Sequence, residues 1–296
     1  MRDRAAEPHE GAGERPDAVL GVRVPAPRPV AGAGAPTVAV ADTRTVLALP
    51  GAQAFALTPA ETLRLADART EAARADFVAA HFLARLCTAR RTGGSPLDVV
   101  LHQRCPDCDG PHGRPRVAVR GGGPAPEISL SYAGGVVAAA AADHPVGIDV
   151  ERLPRRGVPG RDIRALRRFL TPGEAGRIRG SPAPADALLR TWVRKEALVK
   201  ATGDGLPAMA GLDLSDVPCG PSAPGRPYRI RVPGSPGPHD LTDLTDVPPG
   251  VVGAVAVAVP DVPYRPCSPA ASGMRSLRSP GPDEPIDTPS DQGDTS

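Results

Sequence analysis

Aromatic residues make up only 3% of this 296-residue chain, one Trp, three Tyr and four Phe. Leu, Val, Ile and Ala must therefore fill its core. An excess of one charge is also missing. The 35 basic and 33 acidic residues leave a net charge of +2, which argues against a general nucleic-acid binder. Local basic clusters such as Arg152-Leu153-Pro154-Arg155-Arg156 can still attract an acidic partner. No apolar run approaches the length of a bilayer span, so no membrane partner is expected. The opening Met-Arg-Asp-Arg lacks the apolar core of a secretory signal. Five cysteines is an odd count in a chain large enough to fold without disulfides, and reduced thiols in a cytoplasmic setting are the expectation.

What is abundant is Pro and Gly, 38 and 33 residues. Many fall at the ends. Residues 1–36 and 266–296 show no apolar period and read as disordered tails. Between them, Val38–Leu49 reads as a first strand. Leu57-Thr58-Pro59-Ala60-Glu61 is a capping box with Pro at the first helical position. A helix follows over 71–90, with Phe77, Ala80, His81, Ala84 and Cys87 on one face, stopped by Gly93-Gly94. Strands are expected at 97–101, 116–120, 127–132, 135–142 and 146–151, with a hairpin turn at Ala133-Gly134-Gly135.

The same grammar returns at Leu170-Thr171-Pro172-Gly173-Glu174, a second capping box. About 20 residues later a helix opens around Trp192, as one opens around Phe77 in the first copy, and Gly203 ends it. Strands at Tyr228–Val232 and Val251–Val259 follow. The pattern predicts two related halves, 37–145 and 146–265, packed side by side, and the seam between halves is a common place for a ligand.

Two stretches carry the chemistry. In Val146-Gly147-Ile148-Asp149-Val150-Glu151 the two carboxylates stand two positions apart on a strand and share a face. In Trp192-Val193-Arg194-Lys195-Glu196-Ala197-Leu198-Val199-Lys200, Trp192, Glu196 and Lys200 form one helical stripe. Three carboxylates without a dedicated cage suit Mg²⁺, which takes a few carboxylates plus water and phosphate oxygens. Lys195 and Lys200 would then face phosphate charge. The bland alternatives are two solvated acids on a strand edge and an ordinary i, i+4 ion pair. Glu174 reads either as a cap residue or as a base at the helix start, and the Ser129 and Ser131 hydroxyls as phosphate contacts or turn residues. His102, Cys105, Cys108 and His112 offer four candidate zinc ligands. The other reading is a turn-rich loop whose Gly113-Arg114-Pro115 end presents backbone and a cation to a ligand, with no metal bound.

Taken in order, Gly113-Arg114-Pro115, Ser129-Leu130-Ser131-Tyr132-Ala133-Gly134, Gly147-Ile148-Asp149-Val150-Glu151 and Trp192 through Lys200 resemble the signature of 4′-phosphopantetheinyl transferases of the Sfp type. The resemblance runs from about residue 40 to about residue 260. It implies an α+β fold of two similar subdomains with coenzyme A between them. It implies a cytoplasmic, monomeric enzyme that moves the 4′-phosphopantetheine arm onto a serine of an apo acyl or peptidyl carrier protein, in fatty acid, polyketide or nonribosomal peptide biosynthesis. By the same resemblance, Asp149, Glu151 and Glu196 hold Mg²⁺, and Lys195 and Lys200 bind phosphate, Lys200 also stabilising the leaving group. Arg114 and Ser131 contact the nucleotide end, and Glu174 helps deprotonate the attacking serine.

The chain departs from the family pattern twice. Tyr132 stands where the family usually has His, and His81 where it usually has Arg, with Arg74 and Arg85 as possible substitutes at the nucleotide. A coenzyme A-binding regulatory paralogue without efficient transfer and a zinc-knuckle interaction module are the alternative functions.

Overall fold

The computed structural model describes residues 34–105, 108–111, 113–123, 125–153, 163–223 and 226–259. The expected tails lie almost wholly outside these residues, as do His112, Arg155 and Arg156. Strand β1 is shorter than the Val-rich stretch suggested, covering Thr37–Asp42. The chain then winds into helix α1, Thr43–Leu47. Thr43, Val46 and Leu49 are buried at helical spacing, so here the period of three overrides the β-propensity of Val.

Helix α2, Pro59–Ala66, starts at the first capping box: the Thr58 N–H donates to Glu61 and the Glu61 N–H to the Thr58 hydroxyl. Helix α3, Glu71–Thr92, ends on Gly93 in the left-handed conformation. Strands β2 (Val99–Gln103) and β3 (Pro115–Val119) form a hairpin. Strands β4 (Glu127–Ala133) and β5 (Val136–Ala142) form a second. Its turn has positive φ at both Gly134 and Gly135, the backbone that matches strand twist in a two-residue turn.

Strand β6 covers Val146–Arg152. Helix α4, Pro172–Arg179, starts at the second capping box, and helix α5, Pro184–Thr202, ends on left-handed Gly203. Strands β7 (Tyr228–Arg231), β8 (Pro238–Asp243) and β9 (Val251–Ala258) complete the described residues. β8 was not anticipated. It opens on Pro and carries His239, Asp240 and Asp243, so its sequence shows no apolar alternation.

Two main sheets are built in the same order. In one, the first strand pairs with the last and the last with the one before it, giving β1-β5-β4; in the other the order is β6-β9-β8-β7. Side chains alternate across these strands and both faces are covered. Val137, Ala139 and Ala141 of β5 pack in a core with Ala80, Leu83 and Cys87 of α3. Val136, Ala138 and Ala140 instead meet Val146, Ile148 and Val150 of β6 and Val255 of β9. The opposite face of β9, Val252, Ala254 and Ala256, packs with Val193 and Ala197 of α5. The result is a mixed α/β arrangement of helix, sheet, sheet and helix. Strands buried on both faces explain why β5 and β9 read as unbroken small apolar runs.

Candidate functional site

Helix α5 lies unusually close to β6, and Gly147 is the reason. A Cβ at that position would fall 1.9 Å from the Ala197 carbonyl oxygen and 2.5 Å from the Ala201 nitrogen. The close approach that Gly147 permits is thus made by the helix backbone. Asp149 and Glu151 share the face of β6 that Gly147 presents to α5. The Lys200 ammonium donates to the Ile148 carbonyl at 3.1 Å and to Asp149 Oδ1 at 2.7 Å.

The other side of Asp149 is supplied by β4. β6 is an edge strand of its sheet, so half of its N–H groups need partners from elsewhere. Ser129 Oγ accepts from the Ile148 N–H at 3.1 Å, and Ser131 Oγ accepts from the Val150 N–H at 3.4 Å. Ser131 also donates to Asp149 Oδ1 at 2.7 Å. The two serines therefore stitch the sheets together beside the acid.

A cavity of about 480 Å³ opens at this seam. Residues 146–265 contribute Asp149, Glu151, Glu196 and Lys200 to its lining. Residues 37–145 contribute Arg64, Gln103, Arg114, Ser131 and Tyr132. Arg114 reaches across to the Ala201 carbonyl at 3.0 Å and pairs with Glu127 at 3.0 Å. Burial lowers its pKa from the ordinary value. Arg64 was missed by the sequence reading, which treated the helix after Pro59 only as a cap motif. Its guanidinium stands 5.5 Å from the centre of the Phe77 ring, and that ring meets Tyr132 edge-on at 6.4 Å. One wall is thus cationic and the other carries the carboxylates. Such a cavity suits an elongated anion that also needs a metal ion.

Several expected residues stand elsewhere. Lys195 is 1% exposed and absent from the cavity lining. Its three ammonium donors find the Phe169 carbonyl at 2.8 Å, the Met209 carbonyl at 3.3 Å and Glu174 Oε2 at 2.7 Å. Glu174 is equally enclosed. It accepts from the Thr171 N–H and the Leu214 N–H, both at 2.8 Å. Neither side chain reaches the cavity in this arrangement, because each satisfies the other in the core.

Arg85 repeats the pattern. It forks onto Glu61 at 2.8 and 2.9 Å with both side chains buried, and it does not line the cavity. Arg85 and Lys195 sit at the same distance before the glycine that ends their helices, Gly93 and Gly203. Each is paired with the glutamate of the preceding capping box. Arg74 is exposed on α3, away from the cavity. His81 is not a cation here: burial holds its pKa at about 4. Its Nδ1 lies 2.8 Å from the Phe77 carbonyl, and its ring stacks on Phe77 at 3.8 Å.

For a metal, the chemistry at Asp149 is favourable. Its Oδ2 is buried and has no hydrogen-bond donor, an anionic oxygen beside the cavity that suits a hard cation. Glu151 and Glu196 line the same cavity. Among the described residues, no three His, Cys, Asp or Glu side chains converge on one point, so a Mg²⁺ here would draw on water and phosphate oxygens beside these carboxylates. Of the candidate zinc ligands, Cys105 is buried and Cys108 exposed in the β2–β3 loop, while His112 lies outside the described residues.

No helix among the described residues is long and apolar enough to cross a membrane. No curated protein matches the chain. Residues 145–247, the span that carries Asp149, Glu151, Glu174, Lys195, Glu196 and Lys200, match the family model of the 4′-phosphopantetheinyl transferase superfamily.

Proposed function

We propose that this protein is an Sfp-type transferase. It moves the 4′-phosphopantetheine arm of coenzyme A to a serine of an apo acyl or peptidyl carrier protein and releases adenosine 3′,5′-bisphosphate. The observation that carries this reading is the seam cavity, with Arg64 and Arg114 on one wall and Asp149, Glu151, Glu196 and Lys200 on the other. The two halves, 37–145 and 146–265, are duplicates that share the active site between them, and the protein acts as a monomer in the cytoplasm. The common strand order and the equivalent buried pairs Glu61–Arg85 and Glu174–Lys195 support that duplication.

In the reaction, the carrier's serine oxygen forms a bond to the phosphorus that bears the pantetheine arm. The bridging oxygen on the adenosine side leaves with its electron pair. Asp149, Glu151 and Glu196 would hold Mg²⁺, which when bound supplies positive charge to the pyrophosphate. Lys200 binds phosphate and stabilises the leaving oxygen. Two of its three donors are taken by Ile148 and Asp149, and the third is directed to substrate. Ser131 orients the Asp149 carboxylate. Arg64 and Arg114 hold the nucleotide phosphates, and Tyr132 lies beside them. Glu174 has both oxygens committed in the core, so we assign it and Lys195 to positioning α5. The serine proton passes to one of the carboxylates that reach the cavity.

The test is an intact-mass assay with purified protein, coenzyme A, Mg²⁺ and a panel of apo carriers from fatty acid, polyketide and peptide synthases. Addition of one phosphopantetheine to at least one carrier is expected. Tight coenzyme A binding with no transfer to any carrier would instead favour a regulatory paralogue.

A further inference from the structure

Several arginines of this fold are held by carboxylates. Arg85 pairs with Glu61, Arg91 with Asp143, Arg114 with Glu127, Arg152 with Asp42 and Arg194 with Asp243. Arg64 is different. Among the described residues it makes no ion pair, and its Nη1 donates instead to the side-chain oxygen of Gln103. Gln103 ends β2, opposite Pro115. Its amide nitrogen donates to the Gly113 carbonyl at 3.0 Å, immediately before Arg114. The two partners fix which way round the amide lies, because only one orientation offers an acceptor to Arg64 and a donor to Gly113.

Glycine is required where Gln103 makes this bond. Its φ is +100°, and a Cβ there would meet the Arg104 carbonyl oxygen at 3.3 Å and Cys105 Cα at 3.3 Å. A side chain is therefore excluded there, and the Gln103 bond ties the loop at the residue preceding the second cation of the wall.

We infer that Gln103 is a positioning residue. Its neutral amide ties Arg64 on α2 to the Gly113–Arg114 loop, and so holds Arg64 toward an anionic nucleotide without neutralising it. This rests on the transferase reading of the cavity. A glutamate of the same shape would attract Arg64 more strongly, but would cancel its charge and repel the Gly113 carbonyl. A leucine would hold neither partner.

The experiment compares wild type, Gln103→Glu, Gln103→Leu, Arg64→Gln and the Gln103→Leu/Arg64→Gln pair. Binding of adenosine 3′,5′-bisphosphate is measured by calorimetry, and transfer kinetics with coenzyme A are measured alongside. Each Gln103 variant should weaken nucleotide binding and raise KM for coenzyme A about tenfold, with kcat within about twofold of wild type. The pair should bind no more weakly than Arg64→Gln alone. Wild-type nucleotide affinity in Gln103→Glu, a loss confined to kcat, or additive losses in the pair would overturn the assignment. Gln103→Glu preserves size and settles the matter even if Gln103→Leu folds poorly. Failure of the wild type to bind either nucleotide would instead remove the transferase reading itself.

Discussion

Lys195 Nζ stands 2.7 Å from Glu174 Oε2, with the two side chains 1% and 2% exposed. Removing one partner of such a pair leaves a buried charge without its counterion and costs about 3–5 kcal/mol. Glu174→Gln keeps the capping-box geometry, since Gln also serves at that position, and so isolates the ion pair. Glu174→Gln and Lys195→Met should each lower stability in urea unfolding by about that amount. The combined variant should recover much of the loss. A catalytic base would behave differently, giving a slow enzyme of wild-type stability.

Gly147 has no room for a methyl group. Gly147→Ala places Cβ inside the Ala197 carbonyl, so α5 must move away from β6 and take Glu196 and Lys200 with it. We expect destabilisation of at least about 1–3 kcal/mol, the usual range for overpacking. Transfer should fall further than stability alone explains. Urea midpoints and turnover measured on the same preparation check this.

The chain contains only two lysines, Lys195 and Lys200, among 35 basic residues. At Lys200 the ammonium sits between the Ile148 carbonyl and Asp149, where a longer planar fork cannot fit the same two acceptors. Lys200→Arg should reduce kcat by about tenfold or more, an effect of roughly 1.4 kcal/mol on the barrier. Stopped-assay kinetics at saturating coenzyme A will show whether the charge alone is enough.

His81 sets a pH dependence. Its pKa is about 4 in the fold, lowered first by burial, against an ordinary 6.5 when unfolded. The unfolded chain therefore takes up a proton that the folded one refuses. The stabilisation is fully present above pH 6.5 and is lost as pH falls toward 4, by up to about 3 kcal/mol. Glu61, Arg64 and Arg85 act on this ring. His239, also lowered by burial, contributes in the same direction. Asp143, held low by its bond to Arg91, adds losses only at lower pH. His81→Gln should flatten the curve of unfolding free energy between pH 6.5 and 4.5 relative to wild type.

The parts of this fold legible in the sequence are those fixed by local bonds. Both capping boxes form where Thr58, Glu61, Thr171 and Glu174 predicted them, because their partners are three residues away. Gly93 and Gly203 end their helices for the same reason. The β4–β5 turn follows from two adjacent glycines. What stayed hidden depends on distant partners. β8 is held between β7 and β9 by bonds that its own sequence does not announce. Arg85 and Lys195 read as nucleotide and phosphate contacts, but Glu61 and Glu174 hold them in the core. Arg64 enters the cavity only because α2 lies beside the end of β2, a proximity with no local signal. Asp149, Glu151, Glu196 and Lys200 were legible as a set, since strand and helix periods place each pair on one face and the cavity joins the faces.

The central claim is that the Asp149 carboxylate at the seam organises metal-dependent transfer. The most direct measurement is the rate at which Asp149→Ala loads an apo carrier from coenzyme A at saturating Mg²⁺, beside wild type of matched melting temperature. A Mg²⁺-dependent rate is expected for wild type and a loss of about a thousandfold, roughly 4 kcal/mol, for the variant. Wild-type turnover in Asp149→Ala would contradict the claim.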